Sequence, residues 1–183
     1  MIPRRLVLAA ALAAALALPW ALGGCASHSI SDHAGQQPTL DLARYFNGEV
    51  LAHGMFQDRT GRVVKRFTVQ ITGTWQGDQG TLDERFAYAD GSTQRRVWHL
   101  TRGPDGHYTG KADDVVGEAT GQAVGNALNW RYTLRLPVDG SVYEVQFDDW
   151  MILVDERVML NRATMRKFGV TLGEVTLSFT RQP

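Results

Sequence analysis

Apolar and polar residues alternate along most of the chain after residue 48. Residues 128–136 show the pattern most clearly, and similar runs cover residues 67–75, 82–88 and 143–147. Because successive side chains of a β-strand point to opposite faces, this period of two predicts strands with one face in a core and the other in water. In the clearest run the apolar positions are Leu128, Trp130, Tyr132, Leu134 and Leu136.

Turn signals separate these runs, among them Asp90-Gly91, Pro104-Asp105-Gly106 and Asp139-Gly140. An Asp-Gly pair between two strands favours a hairpin, because glycine accepts a positive φ at no steric cost. About nine or ten strands result, with no long helical period among them. We therefore predict an all-β domain over residues 40–183. In it, a single antiparallel meander of about 8–10 strands closes into a β-barrel, which removes exposed sheet edges.

A short helical turn is expected immediately before the first strand, in residues 40–47. Leu42, Tyr45 and Phe46 have the i, i+3, i+4 spacing that places side chains on one helix face. Gly48 would end this turn. The helix would then present one apolar face to the strands that follow.

The N-terminal segment differs from the rest of the chain. Arg4 and Arg5 precede an apolar run, residues 6–22, that contains no charged residue, as in a signal peptide. The next residues, Leu22-Gly23-Gly24-Cys25, match the bacterial lipobox: an aliphatic residue, two small residues and a cysteine. We interpret residues 1–24 as a lipoprotein signal peptide with a helical apolar segment, cleaved between Gly24 and Cys25. The Cys25 thiol would accept diacylglycerol.

Two or three acyl chains at Cys25 would hold the mature protein on a membrane stably. An aspartate directly after the cysteine would favour the inner membrane of a bacterium with two membranes, but Ala26 and Ser27 stand there. We therefore expect a lipid-anchored protein of the cell envelope, on the periplasmic face of the outer membrane. Residues 25–39 show no apolar period and are expected to form a lipidated flexible tether.

Charge and cysteine content exclude several classes of function. The chain has 19 basic and 19 acidic residues. Without Arg4 and Arg5, 17 basic residues face 19 acidic ones, a net charge of −2. This balance argues against nucleic acid as a partner. The single cysteine excludes an internal disulfide, and its acylation would leave no thiol for catalysis.

The first candidates for catalytic residues are the paired carboxylates Asp113-Asp114 and Asp148-Asp149. Adjacent residues of a strand point to opposite faces, so neither pair is expected to act as a dyad. The chain has no Gly-x-Ser-x-Gly motif, and no spacing typical of a metal site. We predict no catalytic residue, metal or cofactor. Asp148 or Asp149, acting with Arg162, would be the candidates if the protein were an enzyme.

Several short motifs occur together in the order typical of one bacterial family. They include Phe46-Asn47-Gly48, Gln57-Asp58-Arg59, Gly80-Thr81-Leu82-Asp83-Glu84, Gln94-Arg95-Arg96-Val97-Trp98, Asn126-Ala127-Leu128-Asn129-Trp130, Phe147-Asp148-Asp149-Trp150-Met151 and Lys167-Phe168-Gly169. Over about residues 40–181, and in its lipobox, the chain resembles bacterial lipoproteins grouped as domain of unknown function 3833. The resemblance implies a lipocalin-like β-barrel. It implies no established activity, although an association with fatty-acid-modifying genes points toward lipid ligands.

The first hypothesis for function is that the barrel binds a fatty acid or other apolar ligand. Arg96 or Arg162 could hold the ligand's headgroup. The second hypothesis is a structural or interaction module with a filled barrel, and the third is an enzyme acting on envelope lipids. A large interior cavity would favour the first hypothesis. The aromatic residues expected to face the ligand are Trp75, Trp98, Trp130 and Trp150.

Overall fold

The computed structural model describes residues 28–138 and 140–183. It contains a 3-10 helix, Ile30–His33, and one short α-helix, α1, Leu42–Tyr45. The predicted signal peptide, the cleavage site at Gly24 and the lipidation site Cys25 lie outside the described residues. Ten strands follow α1: β1 Gly48–Asp58, β2 Val63–Gln76, β3 Gln79–Tyr88, β4 Thr93–Arg102, β5 His107–Lys111, β6 Ala119–Val124, β7 Ala127–Val138, β8 Ser141–Leu153, β9 Val158–Lys167 and β10 Val170–Arg181.

Each strand pairs antiparallel with the next strand in the sequence, and β1 also pairs with β10. This last pairing runs from Val50 opposite Arg181 to Asp58 opposite Gly173. The sheet is therefore one meander closed into a ten-stranded barrel, which confirms the predicted all-β class and architecture. Closure pairs both outer strands of the meander and removes its sheet edges.

The predicted turns depend on glycine where the backbone enters the left-handed region. Gly91 has φ 84° in the turn between β3 and β4. In the turn between β4 and β5, both Asp105 and Gly106 have positive φ, 54° and 71°. Aspartate tolerates this conformation better than most residues, and glycine adopts it without strain. These residues let the chain reverse within a few positions.

Helix α1 closes one end of the barrel. Its first turn is capped by Asp41, whose Oδ1 accepts hydrogen bonds from the backbone N–H groups of Ala43 at 2.8 Å and Arg44 at 3.3 Å. The predicted apolar face is confirmed, because Leu42 and Tyr45 are buried, as is Phe46 just after the helix. The Tyr45 hydroxyl donates a hydrogen bond to the carbonyl of Arg157 at 3.0 Å, which fixes the helix to the β8–β9 turn.

Residues 28–39 belong to the predicted tether, yet in the structure they lie against the outside of the barrel. The His28 ring stacks on Trp150, with 4.1 Å between ring centroids. His33 Nδ1 lies 3.1 Å from Asn126 Oδ1 in the β6–β7 turn. These contacts are polar or aromatic and have no apolar period, so the sequence pattern did not indicate them. No group of three metal-ligating side chains occurs in the part of the chain that the structure describes.

The ten strands, α1 and the core cluster that the structure describes lie within residues 28–183. The core is a single cluster that lines the barrel interior and reaches α1. This part of the chain therefore contains a complete folding unit. Neither described helix is long and apolar enough to cross a membrane.

Candidate functional site

The barrel encloses a cavity of about 1020 Å³. It extends from Leu42 and Phe46, at the end closed by α1, to exposed residues such as Thr93 and Val138 at the other end. This volume lies at the upper end of the range for small-molecule pockets, roughly 300 to 1000 Å³. A barrel filled with side chains, as in the second hypothesis, does not fit a cavity of this size.

Most of the cavity wall is apolar and aromatic. Trp98 and Trp130 pack edge to face, with 5.8 Å between ring centroids and an angle of 71°. Tyr132 and Phe147 stack at 5.0 Å and 7°. Aromatic pairs in these geometries hold one another in place, so this part of the wall is preformed. Aliphatic residues complete it, including Val69, Ile71, Leu82, Leu100, Leu128 and Leu134.

The open end of the cavity, opposite α1, has an unusually apolar edge. Phe168, in the β9–β10 turn, is 90 % exposed, and Val142 at the start of β8 is 65 % exposed. Lys65, Arg135 and Lys167 line the cavity near this end. We call the exposed apolar residues here the mouth rim: Val63, Val64, Val138, Val142, Tyr143, Phe168, Val170 and Leu172.

A group of polar side chains lies deep in the cavity wall, and we call it the polar cluster. At its centre is Arg96 on β4, whose Nη2 lies 2.9 Å from Asp114 Oδ2 and whose Nη1 lies 3.7 Å from Glu84 Oε2. Arg96 Nε also donates to Asp114, at 2.9 Å. The guanidinium is therefore held by two carboxylates. The cluster consists of Glu84, Arg96, Asp114, Tyr132, Asp149 and Asn161.

Burial changes the ionisation of this cluster. It raises the pKa of Glu84 to about 7, although the Arg96 charge opposes the shift. It also raises the pKa of Asp149 to about 7, against a hydrogen bond from Tyr132. Burial lowers the pKa of Arg96, but the nearby Glu84 and Asp114 carboxylates outweigh this and raise it above its ordinary value. One permanent positive charge thus faces three carboxylic acids, which leaves no surplus positive charge in the polar cluster.

Asp149 and Asn161 each present an oxygen without a hydrogen-bond partner. Asp149 on β8 is 6 % exposed, and its Oδ2 accepts a long hydrogen bond, 3.4 Å, from the Tyr132 hydroxyl. Asn161 on β9 is 2 % exposed, and its Nδ2 donates to the backbone carbonyl of Trp150 at 3.3 Å. Among the described residues, nothing pairs with Asp149 Oδ1 or Asn161 Oδ1. Such buried atoms are rare in native proteins.

A comparison with models of protein families shows to which family the chain belongs. The model of one family, described as protein of unknown function (DUF3833), matches residues 20–181. The chain belongs to the DUF3833 family. This confirms the family suggested by the motifs. Among curated proteins, none matches the chain.

In this DUF3833 protein, three of the six predicted ligand-contacting residues line the cavity: Trp98, Trp130 and Arg96. Trp75 lies at the closed end of the barrel, outside the cavity wall. Its ring packs edge to face on Tyr108, at 6.4 Å between centroids, and against Gly80.

Trp150 and Arg162 require a correction, because both lie on the outer face of the barrel. Residues with odd numbers on β8, such as Phe147, point inward, so Trp150 points outward and packs under His28. The Arg162 side chain is 69 % exposed, and its Nη2 lies 2.7 Å from Glu174 Oε1. Neither residue reaches a ligand in the cavity.

The aspartate pair at positions 148 and 149 divides between the two faces, as predicted. Asp148 faces outward, where its Oδ1 accepts hydrogen bonds from Asn129 at 2.7 Å and Arg131 at 3.3 Å. Asp149 faces the cavity. Because the barrel wall separates Asp149 from Arg162, these two residues of the enzyme hypothesis do not form a site. Its other pair, Asp148 and Arg162, lies on the outer face, where Arg131 and Glu174 respectively are their ion-pair partners.

Three members of the polar cluster were not predicted as site residues: Glu84, Asn161 and Asp114, the last having been considered only as half of the Asp113-Asp114 pair. A signal for two of them exists in the alternation. Glu84 occupies an apolar position between Leu82 and Phe86, and Asn161 is likewise an inward-facing residue of β9. A polar residue at an inward position of a strand is a candidate for a buried role. Asp114 lies in the β5–β6 connection, which the period of two does not describe.

Proposed function

We propose that this DUF3833 protein binds one fatty-acid-derived or similarly apolar molecule inside its barrel. The observation that carries the proposal is the cavity of about 1020 Å³, whose wall is mostly apolar and which reaches the open end. Transfer of apolar ligand surface from water into such a cavity is favourable by about 25 cal/mol per Å². Pockets of this size and character are typical of small-molecule sites.

The shape of the cavity supports a ligand with an extended chain. Its apolar lining continues from Phe46 at the closed end to Leu172 at the rim. A chain threaded along this axis would contact the Trp98–Trp130 pair part-way along. The two tryptophans would thus both bind the ligand and report on its arrival, since the emission of an indole ring depends on its surroundings.

Filling the cavity tests this proposal. Ala163 on β9 is 2 % exposed and lines the cavity, so Ala163→Phe would place a ring where the ligand lies. For residues 28–183, titrated with dodecanoate or dodecan-1-ol and followed by tryptophan fluorescence, we expect this variant to bind at least about tenfold more weakly. Thr164→Phe adds the same ring to the outer face and is the matched control. Unchanged binding by Ala163→Phe would contradict the proposal.

Native mass spectrometry provides an independent test. Protein purified under gentle conditions should retain one molecule of bound lipid per barrel. If no lipid copurifies and no added single-chain lipid binds, the proposal fails.

We further propose that the mature protein is anchored to the periplasmic face of the outer membrane through acyl chains on Cys25. The lipobox Leu22-Gly23-Gly24-Cys25 supports this proposal. Cys25→Ala removes the acylated atom, so we expect the protein to move from the membrane to the soluble fraction of the cell. Ser27→Ala alters a neighbouring residue but not the thiol and should remain in the membrane fraction. Equal fractionation of both variants would refute the anchor.

A further inference from the structure

Two oxygen atoms in the cavity wall lack a hydrogen-bond partner among the described residues, Asp149 Oδ1 and Asn161 Oδ1. Both side chains are at least nine-tenths buried and line the cavity. Burial has removed these oxygens from water, and neither has a protein donor in exchange. Since native proteins satisfy most buried polar groups, two such acceptors on neighbouring residues of one cavity wall indicate a partner from outside the chain.

In both side chains the other terminal atom makes a hydrogen bond. Asn161 Nδ2 donates to the Trp150 carbonyl, so Oδ1 is the atom of this amide that lacks a partner among the described residues. Asp149 Oδ2 faces the Tyr132 hydroxyl. In the β8–β9 register Asp149 lies opposite Ala163, and Asn161 lies opposite Met151. The two acceptors are therefore diagonal neighbours on one face, positions about 7 to 8 Å apart in antiparallel sheets.

Arg96 is the one permanently charged cation of the polar cluster, but it is not free to bind an anion. Asp114 engages both its Nε and its Nη2, and Glu84 lies beside its Nη1. A ligand carboxylate placed in the polar cluster would meet the carboxyl groups of Glu84, Asp114 and Asp149 and the Asn161 oxygen, with Arg96 as the single cation there. The local chemistry thus disfavours an anionic end group and favours a hydrogen-bond donor.

We infer that the ligand has a polar end that donates hydrogen bonds to Asp149 and Asn161: a hydroxyl, an amide N–H or an ammonium group, and not a free carboxylate. This inference rests on the proposed function and narrows it. The apolar chain would occupy the tryptophan-lined part of the cavity, while the donor group would satisfy the two orphaned acceptors.

A matched ligand series tests the inference on residues 28–183. Dodecan-1-ol, dodecylamine, methyl dodecanoate and dodecanoate share one chain length and differ at the polar end. By tryptophan fluorescence titration, we expect dodecan-1-ol or dodecylamine to bind at least about tenfold more tightly than methyl dodecanoate, which lacks a donor. Dodecanoate should bind no more tightly than the ester. The better of the two donors would identify the end group as neutral or cationic.

Substitutions of Asp149 and Asn161 test whether these two acceptors, and not the rest of the cavity, cause the preference for a donor ligand. Asn161→Leu and Asp149→Leu replace each acceptor with an apolar side chain of similar size. Each should reduce the preference for the donor ligand over the ester about tenfold, without weakening ester binding. Asn129→Leu makes the same change at an outward-facing position, where Asn129 bonds Asp148, and should keep the preference.

The outcomes distinguish failure of the donor inference from failure of the proposed ligand-binding function. Equal affinities for all four ligands, or tightest binding of dodecanoate, would overturn the donor inference and leave the cavity as a lipid site. A preference that survives in both acceptor variants would also overturn it. Binding of none of the four would overturn the proposed function, and the inference with it.

The mouth rim carries a second, independent inference. Of the ten exposed large hydrophobic residues in the described chain, eight belong to the rim and only Val154 and Leu160 do not. The rim residues come from the tips of the β7–β8, β9–β10 and β1–β2 hairpins, which are neighbours around the barrel. A concentration of exposed apolar residues at one end of a protein marks an interaction surface.

The basic residues at the cavity mouth indicate the partner of the mouth rim. Lys65, Arg135 and Lys167 line the mouth of the cavity, whereas the acids of its wall belong to the buried polar cluster. The Lys167 ammonium lies 4.3 Å from the centroid of the Tyr143 ring at the rim. Apolar side chains beside basic ones are typical of a surface that enters the headgroup region of an anionic bilayer. We propose that the rim docks on an anionic phospholipid surface, so that a ligand enters the cavity without crossing water.

Vesicle cosedimentation of residues 28–183 tests rim docking. We expect binding to vesicles containing phosphatidylglycerol and weaker binding to pure phosphatidylcholine. The double variant Val142→Asp/Phe168→Asp should abolish binding while the fluorescence titration with dodecan-1-ol is unchanged. Leu160→Asp, at a 47 % exposed position on the barrel wall, is the control and should bind as the unaltered protein does. Failure to bind anionic vesicles, or an equal loss in Leu160→Asp, would overturn the proposal.

Discussion

Glu84 and Asp149 show how single residues of the barrel respond to its interior. Each is an acid that burial holds close to half protonation at neutral pH, because a charged carboxylate loses its hydration inside the barrel. Arg96 moderates this effect at Glu84, and the Tyr132 hydroxyl moderates it at Asp149. The interior therefore tolerates acids, but at a cost to the folded state that depends on pH.

The pH dependence of stability follows from these shifts. The pKa of Asp149 is about 7 in the folded protein, compared with an ordinary value of 3.8. Between these two values the folded chain holds a proton that the unfolded chain has released, so stability falls as pH rises from about 4 to 7. We expect the free energy of unfolding in urea to be on the order of 1–3 kcal/mol lower at pH 8 than at pH 5.

Asp149→Asn removes one of the responsible carboxyl groups and should make the pH dependence of stability shallower. Asp148→Asn, on the outer face, is the matched control and should preserve it. An identical slope in the original protein and the Asp149 variant would contradict the assignment.

At the scale of elements, β2 passes very close to the end of α1. Gly73 on β2 faces the end of the helix, where a Cβ atom would lie 1.6 Å from the Phe46 carbonyl oxygen and 3.1 Å from Leu82. No side chain fits this gap, so only glycine lets the strand pass beneath α1. Together with the hydrogen bond from Tyr45 to Arg157, this contact holds the helix on the end of the barrel.

Gly73→Ala should force α1 away from the strand. Such overpacking costs about 1–3 kcal/mol, which urea unfolding would measure. Gly103→Ala is the control, because a Cβ atom there would lie 3.5 Å from its nearest neighbour, an ordinary contact. We expect it to change the free energy of unfolding by less than about 0.5 kcal/mol. Equal stability of both variants would show that α1 adjusts without cost.

At the scale of the whole molecule, the barrel was predictable because its signal is local. Alternation and Asp-Gly turns mark each hairpin, and a meander needs little beyond a succession of hairpins. The cavity was not predictable, because its volume depends on how ten strands and α1 pack together. The outward position of Trp150 could have been predicted from the sequence, since Tyr143, Val145 and Phe147 mark the inward positions of β8. The large Trp150 side chain suggested a core residue. Its even number, on a strand whose odd-numbered residues face inward, places it on the outer face.

Ligand binding should also raise the thermal stability of the whole domain. A ligand that binds only the folded state at a hundred times its dissociation constant contributes about 2.7 kcal/mol. For a domain of this size, that corresponds to a rise in melting temperature of about 5–10 °C. We expect residues 28–183 to show this shift with dodecan-1-ol, and Ala163→Phe to show little of it. An unchanged melting temperature in the presence of saturating ligand would contradict binding to the folded barrel.

The pairing of β1 with β10 has a consequence for how the chain folds. Nine of the ten strand pairings join strands that follow one another in the sequence, and this one joins the first strand to the last. Hairpins between neighbours close short loops, whereas this seam must bring together Val50 and Arg181 across nearly the whole domain. Pairing over such a separation is slow. We therefore expect the seam to form last, so that the open sheet exposes its two unpaired edges until the final step of folding.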